Sequence, residues 1–176
     1  MEYVDRCVKF LLPNGCTLDI LQQVLEEIGN WLQLETLAPE SCGFLMGYKN
    51  PDTGHITLSE LTTPQNGDER KRFFCRLRDK FHFKLLSDSA KKRNYYMGIW
   101  HTHPQKVPSP SAVDWSDWKD TICKDKTGCE YVFFVIAGTK EFRIWTGEFS
   151  TGNIVEIFEA KIIEGVYAKE NDGNAH

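Results

Sequence analysis

The chain has 176 residues, 21 Lys and Arg against 25 Asp and Glu, a net charge of −4 and an apolar share of 41%. That length fits one domain with a full core, and an acidic balance without a long basic run argues against nucleic acid as a partner, because backbone binding needs clustered Lys and Arg. No apolar segment is long enough to cross a bilayer and the opening stretch MEYVDRCVKFLLPNG lacks the form of a secretory signal, so no membrane partner is expected and the cytosol is the expected location.

Residues 7–12 (CVKFLL) read as a strand stopped by the turn signal Pro13-Asn14-Gly15. Thr17 is placed as the N-cap of a helix running to about residue 34, because Leu18, Leu21, Val24, Leu25, Ile28 and Leu32 recur at helical spacing. Residues 42–48 and 55–62 read as strands of a hairpin around Asn50-Pro51-Asp52-Thr53-Gly54. The polar run 63–72 is predicted to be a mobile loop, with Arg70-Lys71-Arg72 on its solvated edge. A helix is predicted over 77–92, with Leu77, Phe81, Leu85 and Leu86 as its apolar face.

Tyr95 to His101 reads as a strand, and a helix over about 112–123 carries Trp115 and Trp118, both expected in the core rather than against a ligand. Strands follow at 130–137, 141–146 and 153–163. Residues 1–168 are expected to form a single domain, with 169–176 a polar, disordered tail. The alternation of elements implies an α/β fold, a mixed sheet with helices on its faces. The six cysteines show no C-x-x-C pair, so free thiols are expected, most of them buried.

Residues 101–114, HTHPQKVPSPSAVD, carry the chemistry. His101 and His103 are two apart on a strand, so their rings share a face, while Thr102 points away as a β-branched filler. Asp114 lies in the first turn of the next helix. Two imidazoles and a carboxylate make a three-ligand set for catalytic zinc, with a fourth position for water whose pKa the metal lowers to about 7. Ser111-x-x-Asp114 also fits a helix start, so Ser111 reads equally as an N-cap and as an oxyanion donor. Hydrolysis needs a proton shuttle that is not a ligand. Glu40, at the mouth of strand 42–48, is the candidate, although on its own a carboxylate there reads as solvated surface.

H-T-H-P, six residues, then S-x-x-D resembles the JAMM motif of the MPN-plus (JAB) metalloproteases at every position. Glu40 ahead of Cys42-Gly43-Phe44-Leu45-Met46-Gly47 is similar to the family's upstream glutamate segment. The resemblance covers roughly residues 8 to 150. It implies a three-layer fold like that of cytidine deaminases, with a mixed central sheet and helices on both faces. It implies zinc held by His101, His103 and Asp114, with Glu40 as the proton shuttle and Ser111 stabilising the tetrahedral intermediate. It also implies cleavage of an isopeptide or peptide bond after a ubiquitin-like or conjugated protein's C-terminus.

WHTHP followed by PSPSxxDW is similar to the stand-alone bacterial branch, the peptidases of type II CBASS anti-phage operons. There the substrate is a conjugated cyclic-oligonucleotide synthase, made by a fusion of activating-like and conjugating-like domains. Two other readings stand beside this one. One is a zinc hydrolase releasing a small molecule or amino acid from a carrier protein; the other is a non-catalytic scaffold, disfavoured because all five motif residues are intact. For a protein substrate, extended-chain capture at a sheet edge is expected, flanked by residues 63–72, which would order on binding, and by residues 104–110, stiffened by Pro104, Pro108 and Pro110.

Overall fold

The computed structural model describes residues 7–160. Its elements in chain order are β1 (Cys7–Leu11), β2 (Thr17–Leu21), α1 (Gln22–Gly29), β3 (Cys42–Lys49), β4 (Ile56–Leu61), β5 (Glu69–Lys71) and β6 (Phe74–Arg76), then α2 (Phe81–Lys91), β7 (Tyr95–Thr102), α3 (Ala112–Lys124), β8 (Tyr131–Ala137), β9 (Phe142–Glu148) and β10 (Ile154–Ile157). Eight strands form one mixed sheet in the order β1-β2-β4-β3-β7-β8-β9-β10. The pairs β2–β4 and β7–β8 are parallel, and the other neighbours are antiparallel. β5 and β6 make a separate two-stranded ribbon.

All seven residues of β8 are buried, as expected for an apolar strand covered on both faces. Phe133, Val135 and Ala137 share a cluster with Val24 and Ile28 of α1. The alternate residues Val132, Phe134 and Ile136 pack with Trp118 of α3, whose ring stacks on Phe134 at 4.7 Å. Since neighbouring strand residues point to opposite faces, α1 and α3 cover opposite sides of the sheet. On β3, Leu45 joins the α1 side, whereas Phe44 meets His82 and Phe83, which puts α2 on the α3 side. The expected mixed sheet with helices on both faces is therefore present. Leu11 N–H donates to Phe158 O and Ala160 N–H to Lys9 O, so the chain beyond β10 lies against β1.

Three expectations are corrected. The helix expected from Thr17 to about 34 is a strand over 17–21 and a helix of only eight residues. Leu18 and Ile20 are buried at alternate positions between β1 and β4, so pairing on both sides overrides the helical spacing that the same leucines also satisfy. The buried residues of α2 are His82 and Ser89, while Phe81 is exposed and Leu77, Leu85 and Leu86 are half-buried. That helix rests on polar partners: Ser89 on Glu60, and His82 between Thr62 and Asp68.

The run 63–72 is not a free loop either. Asp68 accepts from the backbone N–H groups of Gln65, Arg78 and Asp79 as well as pairing with His82, and residues 69–71 form β5. The end of the predicted strand 153–163 and the tail 169–176 lie outside the described residues, as do both limits of the 1–168 domain. No described helix is long and apolar enough to cross a membrane.

Candidate metal centre

β7 lies between β3 and β8, and Cys42 sits opposite His101. His103, one residue past the strand, stays in register by donating its N–H to Ala137 O at 3.0 Å. The side chains of His101 and His103 therefore share a face, with Nε2 atoms 3.1 Å apart. The chain then runs through the proline-rich loop, braced where Ser109 N–H donates to Gln105 Oε1 and Arg143 donates to Pro108 O. It enters α3 at Ser111, whose Oγ accepts from Asp114 N–H at 3.1 Å while Asp114 Oδ2 accepts from Ser111 N–H at 2.7 Å. This reciprocal capping box locks the carboxylate on the helix end. Asp114 Oδ1 lies 3.2 Å from His101 Nε2, and Oδ2 lies 3.2 Å from His103 Nε2.

These donors fit a zinc ion. Zinc–nitrogen bonds of about 2.05 Å in a tetrahedron place ligand atoms roughly 3.3 Å apart. The His101–His103 nitrogen separation of 3.1 Å is close to that spacing, each ring faces its own Asp114 oxygen at 3.2 Å, and among the described residues this is the cluster of three whose ligand atoms, one per residue, all lie within 4.8 Å of one another. The capping and ligand readings of the Ser111–Asp114 pair are thus compatible. Burial opposes charge on Asp114, but hydrogen bonds from His101, His103 and Ser111 N–H outweigh it and hold its carboxyl well below the usual carboxylate range. Burial also opposes charge on His103, yet the Asp114 carboxylate beside it raises its pKa.

Glu40 behaves in the opposite way. Burial pushes its carboxyl up to about 8, with His103 pulling it down and Asp114 adding to the rise. A carboxylic group that titrates near neutrality beside a three-donor cluster is poised to accept and return a proton. Sequence reasoning on the residue alone made Glu40 a solvated surface group, and the structure instead half-buries it in the wall of the cleft. Just after it, a Cβ at Gly43 would come within 1.8 Å of Thr62 O, so only glycine lets β3 close on Thr62 here.

Two grooves meet at the centre, and Glu40, Cys75, Arg76, Asp114 and Asp117 line both. Ser111, Pro104 and Pro110 line one of them, so the loop 104–110 flanks the site as expected. The opposite wall is Phe73 to Arg76, not the run 63–72. That wall is tied to β3 by a Cys42–Cys75 disulfide, with Cα atoms 6.1 Å apart.

The expectation of six free thiols is therefore corrected. Cys7, Cys16, Cys123 and Cys129 are free, and none of them is fully buried. No local spacing could have paired residues 33 apart in the chain. Thr102 is no mere filler, because its buried Oγ1 donates to Gln33 Oε1 and accepts from Ser41 N–H. Arg70 is not a solvated edge, since it donates to Glu40 O and Ser41 Oγ. Trp118 is in the core as expected, though it also lines one groove, whereas Trp115 is only half-buried and packs against it at 5.2 Å.

Residues 21–147 match the family described as prokaryotic homologues of the JAB domain. A protein of Vibrio cholerae serotype O1 named CD-NTase/cGAS isopeptidase is 33% identical over 140 residues, 77% of this chain and 83% of that protein. An Escherichia coli protein of the same name is 27% identical over 132 residues, 73% of this chain and 80% of its own length. A protein from Desulfitobacterium hafniense, known from its solution structure, shares the fold with a TM-score of 0.55 at 18% identity, over 78% of this chain and 87% of that one. The family match takes in β3, β7 and α3, the elements that carry Glu40's neighbours, the histidine pair and Asp114, and the chain belongs to the prokaryotic homologues of the JAB domain.

Proposed function

We propose that this chain is a zinc-dependent isopeptidase that releases a protein joined through its C-terminus to another molecule. The observation that carries the reading is the convergence of His101, His103 and Asp114 beside the half-buried Glu40, where two grooves meet. A zinc ion held by those three side chains supplies Lewis acidity and makes water nucleophilic near neutral pH. Glu40 takes the proton of the attacking water and hands it to the leaving amine, and its place on both grooves beside the three donors suits it to both transfers. Ser111 Oγ already accepts from Asp114 N–H, so its own O–H is free to donate to the developing oxyanion.

The substrate enters as an extended strand. Among the described residues β6 pairs only with β5, and its residues line the cleft, so its second edge offers main-chain hydrogen bonds to an incoming chain. The relatives named for CD-NTase and cGAS support a nucleotidyltransferase conjugate as the target, and with it a place in bacterial antiviral defence. The probe is a CD-NTase from the same genome fused at its C-terminus to a fluorescent protein. Zinc-loaded wild type should cut after the last CD-NTase residue.

Glu40→Gln should keep one zinc and lose about 10²–10⁴-fold in kcat. Ser111→Ala should keep zinc and lose about 10²–10³-fold if its hydroxyl serves the oxyanion. Undiminished turnover by Glu40→Gln removes it as the shuttle. No cleavage of the fusion by zinc-loaded wild type removes the isopeptidase reading.

A further inference from the structure

Glu40 lies outside any regular element, two residues ahead of β3. What aims its carboxyl is therefore whatever grips its main chain. All four polar backbone groups of Glu40 and Ser41 are engaged, and from two sides. On the β7 side, Ser41 N–H donates to Thr102 Oγ1 and Thr102 N–H donates to Ser41 O, each at 2.9 Å. On the β5 side, Glu40 N–H donates to Lys71 O at 2.8 Å, and Arg70 Nε donates to Glu40 O at 2.9 Å. Arg70 Nη2 also donates to Ser41 Oγ at 2.6 Å. Gln33 closes the ring, accepting from Thr102 and donating to Arg72 O.

Arg70 stands out in this ring. Its guanidinium lies over the Trp31 ring at 5.3 Å, and its bonding partners are a carbonyl and a hydroxyl rather than a carboxylate. Adjacent donors in a rigid plane suit two neighbouring acceptors, a geometry that a lysine ammonium does not reproduce. Thr102 sits between the two ligand histidines, so the bracket joins the shuttle to the ligand strand as well as to the ribbon.

We propose that Arg70 is the positioning residue of the proton shuttle, fixing the main chain of Glu40 to β5 and so the reach of its carboxyl into the cleft. This rests on the reading of Glu40 as the shuttle. A misplacement of about 1 Å in a reacting group costs on the order of 10²-fold in rate. Arg70→Ala, in the zinc-loaded full chain acting on the CD-NTase fusion, should lose roughly 10–100-fold in kcat with KM within about twofold of wild type and zinc at one equivalent. Adding Arg70→Ala to Glu40→Gln should cost nothing further, because both remove one function. Arg70→Lys keeps the charge and the stem over Trp31 but not the fork, and should recover only part of the rate.

Full kcat in Arg70→Ala, with Glu40→Gln inactive, overturns the proposal and leaves the shuttle standing. Turnover by Glu40→Gln overturns the shuttle reading itself. A double variant slower than Glu40→Gln by the whole Arg70→Ala factor shows that Arg70 acts elsewhere, and also overturns the proposal. Should Arg70→Ala fail to fold, Arg70→Lys carries the test, and full kcat there is decisive against it.

Discussion

One wall of the cleft, the end of β7 with the start of α3, is made by neighbours in sequence, whereas the other, the β5–β6 ribbon, stands through contacts far apart in the chain. In the first wall, period-two alternation aims His101 and His103, and a capping box four residues long locks Asp114. In the second, strands of three residues each are too short to hold a shape alone. They are held by Cys42–Cys75, by Arg70 on Glu40 and Ser41, and by Asp68 on the buried ring of His82. The comparison separates two requirements of a hydrolytic site. Gathering His101, His103 and Asp114 takes local geometry, and placing Glu40 and the facing wall beside them takes long-range ties.

Breaking the first wall should have the largest effect. Asp114→Ala removes a ligand and half of the capping box, so the loss of zinc affinity should exceed the roughly 10–100-fold carried by outer contacts of a metal site. Elemental analysis of the dialysed variant should find little zinc and the cleavage assay no turnover. Full zinc occupancy there would mean that the aspartate is a helix cap alone.

Breaking the second wall should leave the ion in place and loosen the fold. The disulfide spans 33 residues, a closure worth about 3–4 kcal/mol. For a chain of this size that corresponds to a melting temperature lower by roughly 10 °C. The paired Cys42→Ala, Cys75→Ala variant should show that drop with its zinc retained, and reduced wild type should melt with it. An unchanged melting temperature would show that the hydrogen bonds alone hold the ribbon.

The smallest effect sharpens the contrast at Glu40. In metal-free protein its folded pKa of about 8 exceeds its ordinary value of 4.5, so the folded chain binds the extra proton and stability falls as pH rises from about 4.5 to about 8. His103, also raised, adds its own loss only above its ordinary value of 6.5. Between pH 5 and 6.5, thermal melts of chelator-treated Glu40→Gln should therefore be flatter with pH than those of wild type. Equal slopes would place the carboxyl in water.

What could be read in the chain follows the same division. His101, His103 and Asp114 were legible because each depends on a short period or a cap. The covered strands were legible where a run such as 131–137 is apolar throughout. Thr17 to Leu21 misled because Leu18, Leu21, Val24 and Ile28 satisfy a helix as well as a strand joined to a helix, and only pairing with β1 and β4 decides. Arg70, Thr102, Gln33 and Cys75 were illegible in their roles because each acts on a residue 29 or more positions away. Glu40 was visible only through the family pattern, since burial of a loop carboxyl has no local signature.

The alternation of β7 has a further consequence. Proposed ligand, anchor and proposed ligand occupy 101, 102 and 103, so the candidate metal centre and the bracket are served by opposite faces of one three-residue stretch. A slip of one residue against β3 would turn both imidazoles toward Gln33 and present a lone hydroxyl to the cleft. A chain mispaired by one residue there would thus lose the candidate metal centre and the anchor of Glu40 together.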